Sequence, residues 1–229
     1  MAYRYRQCRN GYLNCNVRMY DGVGRYEVPE VAGADIDISG CSLIGFDRAL
    51  SCKKPENKIV HFFMDDYKFE TIWLRPQRYI EKLSQFRAVI GPDFSKYTDF
   101  PKAARIFNHY RNQWTARYWQ EAGVKIIPNI QFGFDDDRES FDFCLDGVPT
   151  RSTVCISAIG AMRTNAGIED WLEAYHIVAK ELQPKRIIVV GAKYMPELEY
   201  GGEVVVMLTD NIAKKRLICR KGETSVQGI

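Results

Sequence analysis

The chain has 229 residues, 46% of them hydrophobic and 27% charged, and its 32 basic residues against 29 acidic ones leave a net charge of +3. That is ordinary globular usage, long enough to bury a sizeable core in one α/β domain with short extensions. So small a net charge gives no whole-molecule argument for nucleic-acid or membrane binding.

The charge is unevenly placed. Residues 1–25 carry Arg4, Arg6, Arg9, Arg18 and Arg25 against Asp21, and residues 211–229 carry Lys214, Lys215, Arg216, Arg220 and Lys221 against Glu223. The body between these basic ends is net acidic. Over residues 1–40, Gly11, Gly22, Gly24, Gly33 and Pro29 break any period, so an irregular arm is expected. Tyr3, Tyr5, Tyr12, Tyr20 and Tyr26 recur among its arginines. That interleaving suits either single-stranded nucleic acid, through stacking and phosphate contacts, or tyrosines packed on the domain with solvated arginines. The expected organisation is a basic, Tyr-rich arm over 1–40, a single α/β domain over 41–210 and a basic tail over 211–229.

Ser42–Phe46 is a candidate first strand, followed by a polar loop at Lys53–Lys58. Thereafter one pattern recurs: an apolar run, a small polar cluster, then a helix-like stretch. The runs are Ile59–Asp66, Arg87–Asp93, Val124–Gln131, Thr153–Gly160 and Arg186–Lys193. Continuous runs rich in Val and Ile suit strands buried on both faces, as in parallel sheets. Helical spacing covers Glu70–Leu83, with Pro76 at the start of its main part, then Ala103–Glu121 stopped by Gly123, and Ile168–Leu182 stopped by Pro184. About seven strands alternating with three clear helices imply right-handed parallel crossovers. The expected class is α/β with mainly parallel strands, a barrel-like or incomplete (β/α) barrel; an open doubly wound sheet is the alternative.

In such folds the loops after the strand C-termini form the ligand crevice. Asp65, Asp66 and Asp93 would lie there, with Asp142 and Asp146 approaching from the loop near residues 140–149. Clustered carboxylates either bind Mg²⁺ or Mn²⁺ through hard oxygen ligands or divide into a general acid and a base. Asp65, Asp66 and Asp93 are the expected catalytic residues and the expected metal ligands. Asn129 and Gln131 are two apart, so on one strand they share a face and can orient a base, sugar or carboxylate. Arg111 and Arg163 could neutralise a phosphate or carboxylate. Ser157 and Lys193, at the ends of their runs, complete the expected binding set. Ser157–Gly167 carries glycines ahead of a helix but matches no phosphate-loop pattern, so a simple turn competes with a phosphate cradle. His61, His109 and His176 form no H-x-x-x-H pair, and Cys144 with His109 is a nucleophile pair without a supporting motif.

The seven cysteines are odd in number, and the chain opens Met-Ala-Tyr-Arg-Tyr-Arg with no apolar secretory segment. No stretch has the length needed to span a bilayer. Reduced thiols in the cytoplasm of a bacterial host cell are expected, with no membrane partner. A metal site from Cys8, Cys15, Cys41 and Cys52 is the competing interpretation, although their spacing lacks a C-x2-C knuckle.

Five strings carry a family resemblance: Phe62–Glu70; Gly91–Ser95 with Tyr97–Asp99; Asn108–Trp114; Ile127–Gly133; and Ser140–Pro149. Together they resemble a family carried by phages, plasmids and other bacterial mobile elements, catalogued as domain of unknown function 4417. The match runs in order from about Leu43 to Lys193. It implies a phage or mobile-element origin and supplies no catalytic roles. Three functional classes therefore stay open: a carboxylate- or divalent-metal-dependent hydrolase or transferase acting on a phosphorylated or nucleotide-like small molecule; a non-catalytic binder of a nucleotide or signal molecule countering host defence; and a nucleic-acid-binding replication or packaging accessory using the basic ends.

Overall fold

The Val- and Ile-rich runs become short parallel strands. A computed structural model describes residues 11–132 and 141–209. After a two-stranded antiparallel ribbon, β1 (Gly22–Val23) with β2 (Val28–Pro29), the chain enters β3 (Ser42–Gly45), α1 (Phe46–Ala49) and β4 (Lys58–His61). Two helical turns, α2 (Thr71–Leu74) and α3 (Ile80–Leu83), lead to β5 (Ala88–Ile90). The long α4 (Lys102–Glu121) then crosses over to β6 (Ile126–Ile127) and β7 (Asn129–Ile130). The second part runs through α5 (Phe141–Cys144), β8 (Thr153–Ser157), α6 (Asn165–Leu182), β9 (Arg186–Val190) and β10 (Glu203–Met207).

Two four-stranded parallel sheets result, in the orders β3-β4-β5-β6 and β10-β9-β8-β7. They meet at Pro128. Proline has no N–H to give to a ladder, so Ile126–Ile127 pair with β5 while Asn129–Ile130 pair with β8. The sheet is carried across this break by two carbonyls, Ile127 O accepting from Gly91 N at 2.9 Å and Pro128 O accepting from Cys155 N at 2.8 Å.

The inner faces share one apolar filling. Leu43, Ile59, Ile90, Ile127, Cys155 and Ile188 come from successive strands around the ring and form a single cluster. Helices cover the outside in two further clusters, one built around Trp73, Trp114 and Trp119, the other against α6 through Trp171, Tyr175 and Val178. This is the expected incomplete barrel of parallel strands with helical crossovers. It does not close: β3 and β10 are both sheet edges. The seam between them holds a cavity of about 570 Å³ lined by Ile38, Leu43 and Val205 among others, bridged at one point by Arg186 Nη1 donating to Ile36 O at 3.0 Å.

The helix expected over Glu70–Leu83 is broken at Arg75. Pro76 disfavours helical backbone in the residue before it, and Arg75 sits at φ −144°, ψ 60° between α2 and the 3-10 turn Pro76–Tyr79. Among the described residues no helix is long and apolar enough to cross a membrane.

Candidate functional site

Because the strands run in one direction, their C-terminal loops gather at one rim. β5 ends in Gly91-Pro92-Asp93, and β7 begins beside it with Asn129. Asn129 Nδ2 donates to Asp93 Oδ1 at 2.7 Å and to Pro92 O at 3.3 Å. Asp93 is half-buried, and its carboxyl is pushed up to about 6. Burial is the leading cause; the Asn129 hydrogen bond and the charge of Lys96 pull the other way, while Asp66 adds to the rise. A carboxyl that titrates near neutrality can both give and take a proton.

Lys96, on the same loop, is 8% exposed. Its amine lies 3.2 Å from His109 Nδ1 and donates to Cys144 Sγ at 3.9 Å. On the far side of the ring, His109 Nε2 lies 2.9 Å from Asp146 O. A carbonyl only accepts, so Nε2 carries the hydrogen and Nδ1 is the acceptor for the amine. Burial first, and the Lys96 charge second, hold His109 well below the ordinary imidazole range. Burial likewise lowers Lys96, opposed by Cys144 and Asp93.

These groups border a cavity of about 550 Å³ whose lining includes Asp93, Lys96, Gln131, Ser157, Asp170 and Trp171. Among the described residues Gln131 Oε1, in the cavity lining, and Asn129 Oδ1, behind Asp93, are buried without a hydrogen-bond partner. Unsatisfied buried acceptors are costly, and a ligand's N–H or O–H groups would relieve them. Trp171 and Phe132, with ring centroids 6.2 Å apart, give the cavity an aromatic wall. Trp171 is fixed by its indole N–H donating to Ser157 O at 2.9 Å. Gly191, at the end of β9, adopts φ 92°, and a Cβ there would lie 2.5 Å from the Ile159 side chain on the cavity rim. Glycine is required there on both counts.

The expected residues divide sharply. Asp93, Asn129, Gln131 and Ser157 come together at the mouth. Asp66 stands one step back: it accepts from Ser95 N at 3.1 Å and Ser95 Oγ at 2.8 Å, tying the loop after β4 to the loop after β5. Asp65 turns out to solvent, its side chain 65% exposed and paired with Lys68 at 2.8 Å. The three acids thus do not converge as ligands, and among the described residues no group of three His, Cys, Asp or Glu side chains could hold a metal ion. Arg111 is committed inward: its guanidinium lies 3.6 Å from the Phe94 ring centroid, pairs with Glu70 and donates to Asn108 Oδ1 at 3.1 Å. Arg163 and Lys193 are exposed outside the cavity lining. The Asp146 carboxylate packs against Gly24, where a Cβ would meet it at 2.2 Å. The Asp142 side chain lies outside the described residues.

Lys96, Asp170 and Trp171 are lining residues that the sequence did not single out as site residues. A lone lysine in a polar loop reads as solvated, and an aromatic at helical spacing reads as core. Within the arm, Tyr12 stacks on Phe107 at 5.7 Å, while Tyr20 and Tyr26 meet Trp114 and Phe143 edge-on, each at 6.2 Å. Arg18 pairs with Glu121 at 3.5 Å. Cys15, Cys41 and Cys52 are free thiols, and Cys8 falls outside the described residues.

A family model described as a domain of unknown function (DUF4417) matches residues 20–205. The chain is 33% identical over 177 residues to the Gene 1 protein of Mycobacterium phage L5, covering 77% of this chain and 76% of that one. It is 30% identical over 184 residues to the Gene 1 protein of Mycobacterium phage D29, covering 77% of this chain and 64% of that one. No solved structure matches it.

Proposed function

The chain belongs to the DUF4417 family, and from the barrel mouth inside the matched region we propose that it is a small-molecule enzyme, a hydrolase or transferase acting on a nucleoside- or nucleotide-like ligand through the carboxyl of Asp93. One observation carries this reading. The carboxyl of Asp93, pushed up to about 6, is held by Asn129 beside two buried amide oxygens, Asn129 Oδ1 and Gln131 Oε1, that have no hydrogen-bond partner among the described residues. Amide oxygens accept from ring N–H, amino and hydroxyl groups, the donors of a nucleobase or sugar. Trp171 and Phe132 offer the stacking surface such a ring needs. The polarity favours the base or sugar moiety over phosphate, since among the described lining residues Asp93 and Asp170 stand against one lysine, and Arg111 is already committed to Glu70 and Phe94. What supports the reading is carboxyl acid–base chemistry at Asp93.

The test is calorimetric titration of a panel of nucleobases, nucleosides and nucleotides into the full chain, with chromatography of the recovered ligand. Binding that Gln131→Leu weakens at least tenfold, about 1.4 kcal/mol for a lost buried hydrogen bond, together with turnover that Asp93→Asn abolishes, is expected. No binding across the panel overturns the proposal. A ligand bound tightly and recovered unchanged turns it into the sequestering binder. The nucleic-acid alternative rests mostly on basic residues of 1–10 and 211–229, outside the described residues; steeply salt-dependent affinity for single-stranded DNA would support it.

A further inference from the structure

Lys96 has an environment that acid–base chemistry at Asp93 does not require. Buried lysines are ordinarily paired with a carboxylate or drawn out to water. This one is 8% exposed, and its hydrogen-bond partners are a neutral imidazole nitrogen and a thiol sulfur. Asp93 acts on it only through its field. A neutral amine has two N–H bonds and one lone pair. With the N–H bonds directed at His109 Nδ1 and Cys144 Sγ, the lone pair is left for the cavity that Lys96 lines. The groups facing the amine are His109 from α4, Cys144 and the Phe143 ring from α5, and Asp93 from its own loop; the ring centroid is 5.9 Å away. Asp93, Cys144 and the Phe143 ring favour the charged amine, but burial outweighs them and lowers Lys96, and a desolvated lysine of this kind is a nucleophile toward carbonyl carbon.

We propose that Lys96 is an imine-forming lysine, whose amine attacks the carbonyl carbon of a small aldehyde or ketone held in the mouth cavity. The nitrogen lone pair forms the C–N bond while the carbonyl π pair moves to oxygen, and a nitrogen proton passes to that oxygen. The protonated carboxyl of Asp93 then protonates the hydroxyl, which leaves as water. The nitrogen returns a proton to Asp93, so the carboxyl is regenerated and the net products are an imine and one water. The inference extends beyond nucleoside recognition and stands without it: it asks only for the cavity and the amine.

The experiment incubates the full chain with glycolaldehyde and cyanoborohydride at pH 7 and maps the reduced adduct by peptide mass spectrometry. The expected result is a single saturating adduct on Lys96, formed before exposed amines such as Lys53, Lys54 and Lys193 are labelled. Lys96→Arg should remove that adduct and leave the slow surface labelling, and Lys193→Arg should leave the Lys96 adduct intact. Mapping the wild type needs no variant to fold, so it decides the matter alone. Labelling of Lys96 no faster than Lys193, or only after unfolding in urea, overturns the proposal. Absence of nucleoside binding in the calorimeter leaves it untouched.

Discussion

The two halves of the barrel are built differently. Outside β3–β6 the packing layer is made of rings: Trp119 stacks on Phe62 at 5.8 Å, Trp73 meets Trp114 edge-on at 5.5 Å, and Trp114 stacks on Tyr118 at 5.0 Å. Outside β7–β10 the layer is mostly aliphatic, with Val154, Ile156, Ile187 and Val189 of the strands against Val178 and Leu182 of α6. The site straddles the boundary. Asp93, Lys96 and His109, the groups whose protonation matters, hang from the ring-packed half; Ser157, Asp170 and Trp171, the wall facing them, come from the aliphatic half. Large rings fix position through many contacts and specific tilt. The contrast therefore assigns the first half to holding the chemistry still and the second to shaping what enters.

The hardest way to break this contrast is to remove a ring. Trp119 is fully buried, and its indole N–H donates to Pro76 O at 2.9 Å, pinning the turn before α3. Trp119→Ala should cost about 3–5 kcal/mol, from lost burial, cavity formation and an orphaned carbonyl. Val178→Ala on α6 should cost about 2 kcal/mol or less. Urea denaturation of the two variants measures the difference. Equal costs would mean that the ring layer has no special standing.

Asp93→Asn tests the site with the opposite sign. The folded carboxyl titrates near 6 against 3.8 as the ordinary value. The folded state therefore binds the proton more tightly than the unfolded chain, and stability falls as pH rises from about 4 to about 6. Above that window the ionised, half-buried carboxylate costs about 2–3 kcal/mol. The neutral amide keeps an acceptor for Asn129 Nδ2 and escapes that cost. The variant should melt higher than wild type at pH 8, with the advantage shrinking toward pH 4 and turnover lost throughout. A wild-type melting curve flat across that range would remove the basis for acid–base chemistry at this residue.

A smaller effect sharpens the aliphatic half. Tyr175 OH donates to Leu198 O at 2.7 Å in a buried setting, joining α6 to the turn before β10. Tyr175→Phe should lose about 1 kcal/mol, read as a shift in the urea midpoint without a change in slope. A much larger loss would show that this half, too, leans on one aromatic anchor.

How much of this was legible in the sequence follows from which signals are local. The strands from Ile59, Ala88, Thr153 and Arg186 were readable because β-branched apolar runs have few other uses. The division at Pro128 was not: the run Val124–Gln131 looks continuous, and only the missing N–H splits its pairing between two neighbours. Within the site, Asn129 and Gln131 were legible because a spacing of two fixes their common side. The acids were legible as a group but not individually, since Asp65, Asp66 and Asp93 look alike as strings, and only the loop geometry turns one outward, ties one to Ser95 and encloses the third. Lys96 carried no signal at all, because burial of a loop lysine depends on α4 and α5 packing over it.

That distinction among the acids yields the smallest expected effect and a clean control. Asp65 and Asp93 close successive apolar runs, and both were candidates for the same chemistry. Asp65 is paired on the surface with Lys68, whose hydrogen bond first and charge second hold its carboxyl below the ordinary range. A solvent-exposed pair of this kind is screened by salt and contributes little. Asp65→Asn should leave the melting temperature, the ligand affinity and the imine adduct on Lys96 at wild-type values in moderate salt. If instead it weakened ligand binding as strongly as Gln131→Leu, the cavity would have to extend around the β4 loop to include it. The β4 loop would then join Asp93 and Lys96 in lining the site from the ring-packed half.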